Sequence, residues 1–144
     1  MDLKTVIIQL LTAFLSALGF SLLFGMRPKF MLPASMGGLL TWGVYLLSKA
    51  FIPGVFMPCF IAAAYAVIYA EFLARMAGAP STLFVLPAVI PLVPGSYLYY
   101  AMDAAVHGDR ESAGEFGFTA LVFALGIAAG LSVVTALRDL QRRK

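Results

Sequence analysis

The sequence predicts an all-α integral membrane protein with about five transmembrane helices, the fourth broken at a Pro/Gly motif. Three observations carry this. The chain is 62% hydrophobic and only 12% charged, with a mean hydropathy of +0.94, whereas a soluble domain carries roughly 25% charged residues. Its apolar runs reach the length of about 20 residues that a bilayer demands. Between them stand clusters of Gly, Pro and charged residues of the kind that stop helices. All 144 residues therefore read as one transmembrane domain, 1–144, with no polar stretch long enough for an aqueous catalytic or regulatory domain.

Span one is expected at 5–25, closed by Gly25-Met26-Arg27-Pro28-Lys29. Its run is longer than a signal-peptide core and lacks a clear small-x-small cleavage site before Arg27, so it is read as a retained helix. Span two is expected at 30–49, with Pro33 in the first turn, where a missing N–H costs least. Gly37 and Gly38 give it a smooth patch, suited to close packing or to flexibility. Ile52-Pro53-Gly54 is a turn signal. Span three follows at 55–73 with the small run Ala62-Ala63-Ala64, and Glu71 and Arg75 on its last turn have the spacing of an ion pair. Span four is 81–106. A polar loop, His107 to Ser112, leads to span five at 116–137, where Gly126 and Gly130 form a small-xxx-small seam for another helix.

Charge gives the orientation. Five spans put Arg27, Lys29, Arg75, Arg138, Arg142, Arg143 and Lys144 on one side, against Lys4, Lys49 and Arg110 on the other. The richer side is cytoplasmic by the positive-inside rule, which places the N-terminus outside and the C-terminus inside a plasma membrane. A re-entrant fourth segment divides the same residues six to four, a poorer separation. The basic tail from Arg138 accounts for much of the +3 net charge and marks a cytoplasmic helix end rather than a nucleic-acid surface. With one cysteine, Cys59, and one histidine, His107, neither a disulfide nor a His/Cys metal site is expected, and no cofactor is implied.

The fourth span holds the chemistry. Pro87, Pro91 and Pro94 fall within eight residues, and each removes a backbone donor and clashes with the preceding turn. In lipid the freed groups need protein, water or a ligand. Gly95 lies near the middle of 81–106, close to the bilayer midplane, the depth at which discontinuous helices present amide N–H groups to anionic substrates. In Pro94-Gly95-Ser96, proline ends the first half-helix, glycine permits unusual backbone angles, and Ser96 caps the second half or bonds a ligand. Tyr99, about one turn on, is the favoured hydroxyl, with Tyr100 close behind. Asp103 and Glu71 are the candidates for proton coupling. Asp103 lies about 12 Å along the axis from Gly95 and also reads as a solvated interfacial carboxylate. On the residues alone the break is either a binding site or a kinked packing helix. No Ser/His, HExxH or paired-aspartate arrangement suggests an enzyme.

Pro91-Leu92-Val93-Pro94-Gly95-Ser96, followed by Tyr99 or Tyr100 and Met102, resembles the core of the threonine/serine exporter family, specifically its smaller, all-membrane half. Leu18-Gly19-Phe20 with Phe24, Ala74-Arg75 before Pro80-Ser81-Thr82, and 124–130 extend the resemblance along nearly the whole chain. The resemblance implies proton-driven export of threonine, serine or a similar small carboxylate. It places Pro91, Pro94, Gly95, Ser96, Tyr99 and Tyr100 in the substrate site. It also implies a second exporter subunit with a cytoplasmic region and about five spans, alongside membrane lipid and with a homo-oligomer as a further arrangement. An accessory subunit without its own substrate site is the alternative.

Overall fold

The structure, a computed structural model, describes residues 2–142; Met1, Arg143 and Lys144, the last two belonging to the basic tail, lie outside the described residues. Among the described residues there is no strand. The helices are α1 (Leu3–Leu23), α2 (Pro28–Phe51), α3 (Phe56–Ala77), α4 (Thr82–Val89), α5 (Gly95–Val106) and α6 (Arg110–Arg142), with a 3-10 turn at Ile90–Leu92 between α4 and α5. By length and apolarity α1, α2, α3 and α6 each suffice to cross a membrane. The pair Thr82–Leu92 and Gly95–Val106 adds a fifth span if its two bent halves are one crossing.

Several helix ends differ from the sequence reading for local reasons. In α2, Pro28 takes the first helical position, so Pro33 lies inside the helix rather than in its first turn. The Pro33 carbonyl accepts the Tyr69 hydroxyl at 2.8 Å, which fastens α3 to α2 at the proline. In α3, Gly78 ends the helix in the left-handed region, φ 61°, letting the Ala79 amide return to the Ala74 carbonyl at 3.1 Å. Helix α6 starts within the stretch read as a polar loop, because Asp109 caps it. Its carboxylate accepts the Ser112 amide at 3.1 Å, and its carbonyl accepts the Ala113 amide at the same distance. The Ser112 hydroxyl and then its amide hold the Asp109 carboxyl below its ordinary pKa.

Small residues set the packing. Helix α3 is the centre, burying Cys59, Ala62, Ala63, Ala66, Ala70 and Ala74 against α2, α4 and α6. A Cβ built on Gly130 would stand 2.5 Å from the Phe60 carbonyl oxygen, and one on Gly126 would stand 2.8 Å from that of Phe56. These glycines therefore let α6 lie backbone to backbone on α3. On the other flank, a Cβ on Gly38 would meet Ala17 of α1 at 2.5 Å. Without a hydrophobic driving force between helices in lipid, such close contact supplies the attraction.

Gly130→Ala forces a backbone shift and should cost about 1–3 kcal/mol. Gly117→Ala, where an added Cβ meets nothing within 4 Å, should leave stability unchanged or raise it slightly. Thermal unfolding of the two variants in detergent checks the contrast.

Candidate functional site

The break is built by proline arithmetic. Pro91 has no N–H to offer the Pro87 carbonyl, and that oxygen lies 3.3 Å from where a Cβ on Gly38 would sit, so α2 passes close beside it. Past the 3-10 turn, Val93 is extended (φ −61°, ψ 125°) and Pro94 stands at φ −78°, ψ 49°. The Val93 amide returns to the Ile90 carbonyl at 3.1 Å, and the Gly95 amide to the Val93 carbonyl at 2.8 Å. Among the described residues the carbonyls of Pro91 and Leu92 and the amides of Ser96 and Tyr97 then have no backbone partner. A gap of this kind is tolerated in lipid only beside protein or a hydrated cavity.

The two halves meet at 46°. A bend of this size fits a broken crossing or a re-entrant segment. Eleven residues precede the break and twelve follow it, roughly 16 and 18 Å of helix, so the unpaired groups lie near the middle of the bent pair.

The candidate residues take distinct places around this break. Pro91 is half-buried and faces α1 and α2. Pro94 is the N-cap of α5. Gly95 is its first helical residue and has no positive φ, so the unusual backbone angles expected there are absent; an added Cβ meets nothing within 4 Å. Ser96 makes no capping bond. Ser96, Tyr99, Tyr100 and Asp103 follow one another at helical spacing along a single exposed face, with Tyr99 65% and Tyr100 50% accessible. Asp103 sits one turn from His107, 3.5 Å between carboxylate and imidazole, at the exposed far end of α5.

The inward tyrosine is Tyr97, whose ring packs on Phe123 at 5.5 Å and joins the core around Tyr45 and Leu92. Sequence spacing from Gly95 favoured Tyr99 because it did not fix the rotational phase of the second half-helix.

Two further groupings escaped the sequence reading. A cavity of about 290 Å³ lies between α1, α2 and the break, lined by Gln9, Thr12, Ser16, Trp42, Ile90 and Pro91 among others. The signal was available: Gln9, Thr12 and Ser16 recur at helical spacing in an otherwise apolar helix. The second concerns Glu71. Its carboxylate meets Arg138 of α6 at 3.0 Å, with the pair only 15% and 22% accessible, and not Arg75, which is exposed. The expected i,i+4 pair is thus replaced by an interhelix one, because α6 crosses α3 at the Gly126 and Gly130 seam and delivers Arg138 to that level. Arg138 also donates to the Ser81 hydroxyl at 3.3 Å and pairs with Asp139 at 3.0 Å. It thereby ties α3, α6 and the entry to α4 beside a cavity of about 510 Å³. The Glu71 oxygen is in charge contact without an aligned hydrogen bond. Among the described residues no three of His, Cys, Asp and Glu gather as a metal site.

Residues 9–137 match a family model described as Threonine/Serine exporter, ThrE. No match was found among curated proteins or solved structures.

The Glu71–Arg138 pairing is testable by a double-mutant cycle. Glu71→Ala with Arg138→Ala should show non-additive losses of thermal stability, whereas Glu71→Ala with Arg75→Ala should be additive.

Proposed function

The chain belongs to the threonine/serine exporter ThrE family, and from that premise we propose that it is the membrane subunit of a secondary transporter, working with a partner subunit to export threonine, serine or a similar small carboxylate. Membership of an exporter family speaks for transport rather than catalysis, and the apolar helices make the chain a multi-pass membrane protein. The observation that carries the finer reading is the break. Two free amides at the start of α5 point the positive end of a half-helix into the middle of the span, where a carboxylate is stabilised by both the N–H groups and the dipole.

Burial supports the partner. Helix α5 packs chiefly on α6 and buries none of its own residues. Its face carrying Ser96, Tyr99, Tyr100 and Asp103 therefore has no cover within this chain. A second subunit with a cytoplasmic region and about five spans would close the site from that side. The accessory-subunit alternative uses the same exposed face for docking and assigns the substrate entirely to the partner.

In this reading Asp103, beside His107 at the outer end, and Glu71, held by Arg138, remain the two carboxylates available for coupling. Orientation follows the basic residues, with the N-terminus outside and the C-terminus cytoplasmic in the plasma membrane.

Gly95→Leu distinguishes transport from docking. The position has space for a side chain, so the variant should insert, resist heat and co-purify with its partner as wild type does. Efflux of threonine or serine should nonetheless fall at least tenfold, because the side chain fills the mouth of the amide site; undiminished efflux would remove Gly95 from the site. Reporters fused at the two termini should read opposite sides, extracellular at the N-terminus and cytoplasmic at the C-terminus. Both on one side would overturn the five-crossing topology.

A further inference from the structure

Apart from Glu71 of α3, the residues assigned so far lie on the broken span. On the opposite side of the break, α1 presents Gln9, Thr12 and Ser16 to the cavity of about 290 Å³ that Pro91 closes. Its size is at the lower end of ligand pockets, suited to a small metabolite.

The polar inventory of this cavity is specific. The Trp42 indole N–H donates to the Gln9 side-chain oxygen at 3.3 Å. An indole nitrogen can only donate, so the amide oxygen is the atom that faces it, and the Gln9 NH2 group is left with two N–H donors and no partner among the described residues. The Thr12 hydroxyl donates to the Ile8 and Gln9 carbonyls at 2.9 Å, and the Ser16 hydroxyl donates to Ala13 at 2.9 Å. Their hydrogens are spent within α1, and their lone pairs remain as acceptors. The cavity thus offers donors from one residue and acceptors from two. No charged side chain lines it, so nothing there compensates a second carboxylate, whereas a neutral hydroxyl both accepts from Gln9 and donates to Thr12 or Ser16.

We propose that Gln9, Thr12 and Ser16 form the subsite that reads the side-chain hydroxyl of a small amino acid, on the α1 side of the break. The assignment rests on the transport reading and deepens it. The hydroxyl goes to α1, and dicarboxylates are disfavoured by the uncharged wall. Discrimination of serine from alanine then comes from the Gln9 donors, which a serine hydroxyl pairs and an alanine methyl group does not.

Trp42 is the sole tryptophan of the chain and borders the cavity, so its emission reports occupancy directly. The full chain, purified from membranes with whatever subunit accompanies it and reconstituted in lipid bilayers, is titrated with L-serine, L-threonine, L-alanine and succinate. Serine and threonine should change the emission saturably, at concentrations at least tenfold below those alanine or succinate require. Gln9→Leu should bring serine and alanine within about twofold of each other. Thr12→Val, which leaves the Gln9–Trp42 bond in place, should weaken serine and spare alanine, so the test survives if Gln9→Leu does not fold. Equal responses to serine and alanine, no saturable response, or a preference that persists in both variants would overturn the subsite. Loss of the accompanying subunit from Gln9→Leu would also overturn it, because the face would then dock a helix. Serine efflux from cells, measured in parallel, separates the two ideas. Efflux without a Trp42 preference sinks the subsite alone, and absence of any amino-acid efflux sinks the transport reading.

Discussion

The constraint on which everything else depends is that a backbone polar group in the hydrocarbon core has no water to turn to. The structure obeys it almost everywhere by the cheapest route. Hydroxyls in the helices return their protons to carbonyls of their own helix, Ser21 to Ala17, Ser35 to Met31 and Thr135 to Leu131. The helices then attract one another through alanine and glycine surfaces that permit close approach. Against this background the stretch 91–97 stands apart, since two carbonyls and two amides lack a backbone partner there. A gap midway along the bent pair is poorly explained by packing alone, because a straight apolar helix would fill the same space without it. Pre-paid disorder of hydrogen bonding is what a binding site for a small polar solute needs.

The two halves around the gap are held very differently. Phe84, Pro87, Ala88 and Leu92 are buried among α2, α3 and their neighbours, while α5 buries none of its residues and leans mainly on α6. The inner half is therefore fixed by this chain, and the position of the outer half depends on α6 and on whatever covers its exposed face. On the transport reading, a partner that moves against α5 could change access to the amides while the α4 side keeps its shape. The Arg138 contacts with Glu71 and Ser81 reinforce that division, because they pin α6 to α3 and to the approach to α4.

How far the sequence disclosed this depends on the reach of each signal. Three prolines in eight residues act within one turn of themselves, so the break was legible from spacing. Gly126 and Gly130 were legible for the same reason, as a repeat on one face. The partner of Glu71 was not, since a spacing of four residues is visible along one helix and a contact with α6 depends on how two helices cross. Which of Tyr97, Tyr99 and Tyr100 turns inward was not legible, because the rotation of the second half-helix relative to the first is set by the backbone angles of Val93 and Pro94. Gln9 was missed because one amide in a strongly apolar run changes hydropathy little, although its effect on a lipid-facing wall is large.

Desolvation decides which parts of the exposed α5 face require a partner. Asp103 and His107 lie two to three turns past the break, at the end of the half-helix and beside the turn at Gly108, where headgroups and water can solvate them. A carboxylate there is cheap to leave uncovered, and it is a weak argument for a buried coupling site. Ser96 and the amides of Ser96 and Tyr97 sit at the other end of the same helix, near mid-depth, where each unpaired group costs several kcal/mol in hydrocarbon. Tyr99 and Tyr100 lie between these extremes, with Tyr100 steadied against Phe116 at 5.6 Å. The need for cover thus rises toward the break and is greatest at the groups assigned to the substrate carboxylate. On the transport reading, a subunit interface on this face and a substrate site at the break are one requirement: the partner seals the break end of α5 while leaving a small polar solute room beside it.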